Sequence, residues 1–119
     1  YAGTPYKFCH YRKTFGYANM PLDGLWLRAP YLHNGSVPTL RDLLEVTDKR
    51  PKEFYRGNDV YDPVKVGFVS DVAEEKGRKY FRFDTGIPGN GNGGHEGKYY
   101  GTELSADEKD AVVEFLKTF

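Results

Sequence analysis

The chain has 119 residues, with 17 basic and 17 acidic side chains and a formal net charge of zero. That length suits one domain with a real core, needing neither disulfides nor a metal to hold it. The balanced charge argues against a nucleic-acid binder, which shows a basic excess or stripe, and no run of about 20 apolar residues offers a membrane span. No signal-peptide pattern stands at Tyr1, so a mature secreted chain, an internal fragment and a cytosolic protein would all look alike here.

Taken in chain order, residues 1–21 mix aromatic and basic side chains with weak periodicity. They read as an irregular N-terminal arm continuing from something upstream. Leu25, Trp26 and Leu27 form an apolar run before Arg28. Pro30 then blocks helix continuation and restricts Ala29. Asn34-Gly35 signals a tight turn. Pro38 and Thr39 open a short predicted helix through Leu40, Leu43 and Leu44. Residues 47–61, charged and containing Pro51 and Gly57, read as a surface loop. Short strands are predicted over 64–69 and 79–84. Residues 86–97 are rich in glycine and asparagine and should form no regular element. Ser105 and Glu108 make a capping box for a final helix, and Asp107 and Glu108 suit its positive end. Ala111, Val112, Phe115, Leu116 and Phe119 then fall on one face. No earlier long amphipathic helix is there to receive that face.

Several kinds of chemistry fail on spacing. The single cysteine, Cys9, has no internal disulfide partner; it is a buried thiol, a link to another chain, or a thioether. The three histidines lack zinc spacing. Residues 89–94 match G-x-G-x-x-G, but Pro88 precedes them and no helix follows, against a dinucleotide site. Ser36 and Ser105 lack a histidine–carboxylate pattern for nucleophilic catalysis. Asp48-Lys49-Arg50 and Glu74-Glu75-Lys76 read as solvated loops.

The stretch Leu25-Trp26-Leu27-Arg28-Ala29-Pro30-Tyr31-Leu32-His33-Asn34-Gly35-Ser36-Val37-Pro38-Thr39-Leu40 resembles a block in the C-terminal haem domain of bacterial di-haem cytochrome c peroxidases. Phe81-Arg82-Phe83-Asp84-Thr85, Pro88-Gly89-Asn90 and Gly94-His95-Glu96 look like the rubber oxygenase branch of that superfamily. The final helix is similar to the last helix of that domain, so the resemblance covers roughly residues 21–119. It implies a mainly α, loop-rich domain of cytochrome c type, or its C-terminal part, with at most short strands. On that expectation residues 1–119 are a single incomplete cytochrome c-like domain, with 22–119 as the haem-domain part.

The resemblance implies haem c as cofactor. Beside a haem, Arg28 can hold a propionate through a charge-assisted pair, and Trp26 and Tyr31 offer flat apolar surface. Without the resemblance, Arg28 pairs with a surface carboxylate and Trp26 fills the core. His33 either bonds a propionate or braces its turn. His95 is the better iron ligand, since a neutral imidazole binds haem iron axially. The resemblance makes it the distal ligand; otherwise it is a solvent-exposed loop histidine. The peroxidases often place a methionine after the short helix, but here that stretch is Glu45-Val46-Thr47-Asp48, and Met20 lies upstream.

Tyr6-Lys7-Phe8-Cys9-His10 departs from the Cys-x-x-Cys-His attachment motif, with tyrosine in place of the first cysteine. Cys9 could give a single thioether with His10 as proximal ligand; otherwise the proximal site lies on another chain or a missing upstream segment. The implied function is electron relay within a periplasmic or extracellular peroxidase- or oxygenase-like oxidoreductase, with an electron donor or acceptor protein as partner. The alternative is a haem-free interaction subunit that keeps the haem-domain shell.

Overall fold

The computed structural model describes Gly3, Pro5 and residues 13–119. Cys9 and His10 lie outside the described residues. Residues 13–23 are exposed and largely irregular, leading into a 3-10 turn at Leu25–Leu27.

Helix α1 is a single turn, Leu40–Leu43, set by its cap. The Thr39 hydroxyl oxygen accepts the Asp42 amide at 3.1 Å, and the hydroxyl donates to the Asp42 carboxylate at 2.6 Å. The first amides of a helix have no partner within it. Here the Leu40 and Arg41 amides donate to the carbonyls of Val66 (2.9 Å) and Lys65 (3.0 Å). A helix too short to be stable alone is therefore held by the chain beside it.

Helix α2 spans Ala106–Leu116 and carries the expected capping box between Ser105 and Glu108. Its inward face differs from the expected one. Val113 and Lys109 are buried, with Val112 and Leu116 packed partly against the core, while Ala111, Phe115 and Phe119 face outward. The reason lies opposite, just past the end of α1. The Lys109 stem is covered and its ammonium reaches Glu45 at 2.9 Å, so a charged residue takes an inward position. Phe115 and Phe119 instead meet edge to face, centroids 5.3 Å apart.

The core gathers Tyr31, Val37, Leu40, Leu44, Val66 and Val113. Removing each such aliphatic side chain from water contributes roughly 1.5–3 kcal/mol. Gly67 lets two segments close on that core: a Cβ there would sit 2.6 Å from the Pro38 carbonyl oxygen. The Gly24 amide donates to the Phe119 carbonyl at 3.0 Å, tying the last residue to the start of the 3-10 turn.

Among the described residues six short strands form three antiparallel ribbons. Strand β1, Glu53–Arg56, pairs with β6, Phe81–Asp84. Phe54 and Phe83 face each other in that register and stack at 5.0 Å on the buried side. Glu53, Tyr55 and Arg82 take the other side, and Arg82 pairs with Glu53. This alternation follows from the two-residue period of a strand.

The surface loop expected over 47–61 is thus corrected. It holds a 3-10 turn at Thr47–Lys49, strand β1, and the buried residues Arg50, Phe54 and Asn58. Its lone phenylalanine finds its partner at position 83, which local periodicity does not reveal.

Strands β2, Tyr61–Asp62, and β3, Gly67–Phe68, flank a turn. The strand expected over 64–69 shrinks to β3. Pro63 cannot donate to a ladder, and the Asp62 carboxylate accepts the Val64 and Lys65 amides at 2.8 and 3.0 Å, closing a turn instead. Strands β4, Glu74–Glu75, and β5, Arg78–Lys79, form an exposed hairpin where a solvated loop was expected. Lys76 and Gly77 both have positive φ, the conformation of a tight two-residue hairpin turn.

Residues 86–97 form no helix or strand. The described residues are loop-rich with short strands, as expected, but not mainly helical: about 22 % of them are helix and 17 % strand. Proline, glycine and turn-forming aspartate interrupt the middle of the chain too often for longer helices. Among the described residues no helix is long and apolar enough to cross a membrane.

Candidate functional site

The predicted site residues fall into three places. At the first, Arg28 braces the approach to the 3-10 turn. Its Nη1 and Nη2 donate to the carbonyls of Pro21 and Asp23, each at 2.7 Å. The guanidinium is exposed and holds further N–H groups beyond those two. Neither the surface carboxylate nor a core-filling tryptophan describes this corner. Trp26 is 37 % exposed, meets Tyr61 edge-on at 6.3 Å, and accepts the Tyr61 hydroxyl on its carbonyl at 2.6 Å. Trp26, Tyr61, Pro63, Val66 and Lys117 line an open depression of about 380 Å³. Tyr31 belongs to the core: its ring is buried and its hydroxyl donates to the Leu25 carbonyl at 3.1 Å. Burial, with Tyr61 nearby, pushes its phenol far above the usual range.

The second place is the His33 turn. Tyr31 and Val37 bridge across it, and the Gly35 amide closes it on the Leu32 carbonyl at 3.1 Å. Gly35 has φ +65°, and a Cβ there would meet the Arg56 guanidinium at 3.0 Å, so both conformation and space favour glycine. His33 is exposed and its ring stacks on Tyr17, centroids 4.1 Å apart at 14°. The next residue reaches across the fold. Asn34 Nδ2 donates to the carbonyls of Gly89 (3.1 Å) and Gly91 (2.9 Å), joining this turn to the glycine-rich loop.

The third place is that loop, which carries His95. Its backbone is gathered by one buried side chain. Arg50, 2 % exposed, donates through Nη1 to the carbonyls of Asn92 (2.5 Å) and Gly94 (2.6 Å). Through Nη2 it donates to His95 (3.0 Å) and Leu43 (3.1 Å), and through Nε to Glu45 (2.9 Å). Burial lowers the guanidinium pKa, while Glu96 and Asp42 pull it back up; an arginine stays charged at neutral pH regardless. Asn92 Nδ2 adds a bond to the Pro51 carbonyl at 3.0 Å. On the far side of His95, the Glu96 carboxylate accepts both the Thr47 hydroxyl and, at 3.3 Å, its amide. These bonds hold the Glu96 carboxyl below its usual range, the hydroxyl contributing most.

His95 itself has φ +58°. Its imidazole is exposed, and its ring neighbour is Tyr100, edge-on at 5.1 Å. An anchored backbone carrying an outward imidazole suits a single axial ligand. The exposed Arg28 guanidinium and the partly exposed Trp26 and His33 suit a rim. Tyr31 does not: its ring and hydroxyl are both taken up by the core. The described residues thus offer one outward imidazole at His95 and, at two other places, the exposed side chains of Arg28, Trp26 and His33. Among them no group of three or more His, Cys, Asp or Glu side chains is gathered to hold a metal ion.

Residues 16–56 match the RoxA-like, cytochrome c-like family. That stretch holds the 3-10 turn, the His33 turn, α1 and Arg50, but ends before the glycine-rich loop. The chain is similar to the uncharacterized protein y4iJ of Sinorhizobium fredii (strain NBRC 101917 / NGR234), 48 % identical over 108 residues. The match covers 86 % of this chain and 17 % of that protein. It is also similar to the uncharacterized protein y4iM of the same strain, 59 % identical over 58 residues, covering 49 % of this chain and 13 % of that protein. The chain thus spans less than a fifth of either relative. No solved structure matches it.

Sequence reasoning missed Arg50, which it left in a solvated charged run. One signal was available. A loop with Gly89, Gly91, Gly93 and Gly94 has few side chains of its own to satisfy its carbonyls, and arginine alone brings five N–H donors.

Proposed function

We propose that this chain supplies the C-terminal part of a c-type haem domain that relays electrons. The match of residues 16–56 to a cytochrome c-like family carries this reading, and the anchored, outward His95 supports it. Haem c, when bound, would supply an iron centre for one-electron transfer. His95 would be an axial ligand. Arg28 would turn its remaining N–H groups to a propionate, with Trp26 and His33 at the rim. Cys9 and His10 would give a single thioether and the proximal ligand; failing that, another chain or an upstream segment would provide them.

Ligation by His95 opposite a second histidine would leave no open iron position. The chain would then serve as the relay part of a peroxidase- or oxygenase-like oxidoreductase, its catalytic centre elsewhere in the assembly. Periplasmic or extracellular placement, with an electron donor or acceptor protein as partner, goes with this reading. A second reading, a haem-free interaction subunit, is favoured by the outward apolar side chains Leu27, Phe115 and Phe119, at 58 %, 62 % and 39 % exposure.

Denaturing mass spectrometry of the purified native chain, beside its reduced visible spectrum, separates these. A mass gain of one haem with a sharp low-spin band places the cofactor on Cys9. A bare mass with haem on a co-purifying chain supports a shared site. A bare mass with no haem in any complex sinks the cytochrome reading and leaves the interaction subunit.

A further inference from the structure

We propose that Arg50 is the positioning residue for His95, an inference that rests on reading His95 as an axial ligand. The geometry is specific. The direction in which a side chain leaves the backbone is fixed by the peptide groups on either side of its Cα. Arg50 grips both: Nη1 holds the Gly94 carbonyl before His95 at 2.6 Å, and Nη2 holds the His95 carbonyl after it at 3.0 Å. His95 needs this hold. Its φ of +58° is an uncommon conformation for a side-chain-bearing residue, and Gly93 and Gly94 before it do little to restrict the chain.

The same guanidinium is fixed at its other end by the Leu43 and Glu45 carbonyls. The loop is therefore referenced to the end of α1 and not to solvent. Only the two side-chain torsions of His95 stay free. An imidazole held in this way meets an iron with little ordering left to do, which favours a ligand that stays bound. Lysine cannot replace this arrangement, because its three donors diverge from one point and cannot span five carbonyls.

The test uses the full native protein, purified with its haem, and compares H95A, R50K and R50Q by visible and electron paramagnetic resonance spectra and by reduction potential. Far-UV circular dichroism and melting curves accompany each. H95A should lose the low-spin signal. R50K, still folded, should lose most of it, shift the potential, and recover the signal with added free imidazole. If H95A changes nothing, the ligand reading fails and this inference with it. If H95A loses the signal while folded R50K matches the wild type, the ligand reading stands and the positioning role is overturned. If R50K does not fold, R50Q decides, compared at a temperature where its melting curve shows it folded, because it removes the bonds to the Gly94 and His95 carbonyls. A lost low-spin signal that free imidazole restores supports the proposal; a wild-type spectrum and potential overturn it.

Discussion

The α1–α2 face and the glycine-rich loop are held by opposite means. Between the helices, Leu40, Leu44 and Val113 are buried together, and an ion cluster closes the edge. In that cluster Arg41 pairs with Glu45 and, at 2.6 Å, with Asp110, while Lys109 meets Glu45. In the loop, apolar burial is nearly absent. Residues 86–97 contribute only Asn92 to the buried set, and their carbonyls converge on Arg50. One region is a small oil-like core with charges at its rim. The other is a charge at the centre with backbone around it. The difference teaches that glycine-rich chain can be ordered without a core of its own, provided one multivalent donor is buried within it.

The most severe way to break the comparison is Arg50→Met, which leaves five buried or partly buried carbonyls without this donor. Hydrogen bonds made by a charged donor contribute roughly 1.5–3 kcal/mol each, and five are lost together. Denaturant unfolding should show that loss, and hydrogen exchange should show the amides around 92–96 losing protection first. Leu40→Ala attacks the other region and should cost about 2–5 kcal/mol through lost burial and the cavity left behind. Its exchange pattern should be the reverse, with α1 and α2 opening before the loop.

A subtler test uses pH. Burial alone would raise Glu45, but its bonds to Lys109 and Arg41 outweigh that and hold it below the usual glutamate range. A lowered folded pKa contributes stability above the ordinary value of 4.5, and that stability is lost as pH falls through the folded value. Asp42 runs the other way. Burial raises its pKa above the ordinary 3.8, offset in part by Thr39, Lys65 and Arg41, so its contribution is present at low pH and fades as pH rises through the folded value. Glu45→Gln should therefore flatten part of the acid limb of melting temperature against pH, the lowered Glu96 and Glu108 keeping the rest. Smallest is Ser105→Ala, which removes the α2 cap and should cost about 1 kcal/mol, with the loop's exchange rates unchanged.

Legibility followed the same division. Local signals were readable where one short stretch decides the outcome. Ser105 caps its helix as expected, a short helix starts after Thr39, Asn34-Gly35 turns, and residues 86–97 stay irregular. Signals that need a distant partner were not. Phe54 pairs with Phe83, Lys109 is inward because Glu45 lies opposite, and Arg50 is buried because carbonyls more than forty positions later surround it. At the candidate site, the irregular glycine-rich loop around His95 was legible, but the Arg50 bonds that grip it were not.

The bond from the Gly24 amide to the Phe119 carbonyl has a topological meaning. It brings the backbone at Gly24 and at Phe119 together at 3.0 Å, so the chain between them forms a nearly closed loop. A loop with adjoining ends can sit within a longer polypeptide and leave the chain that enters beside the chain that departs.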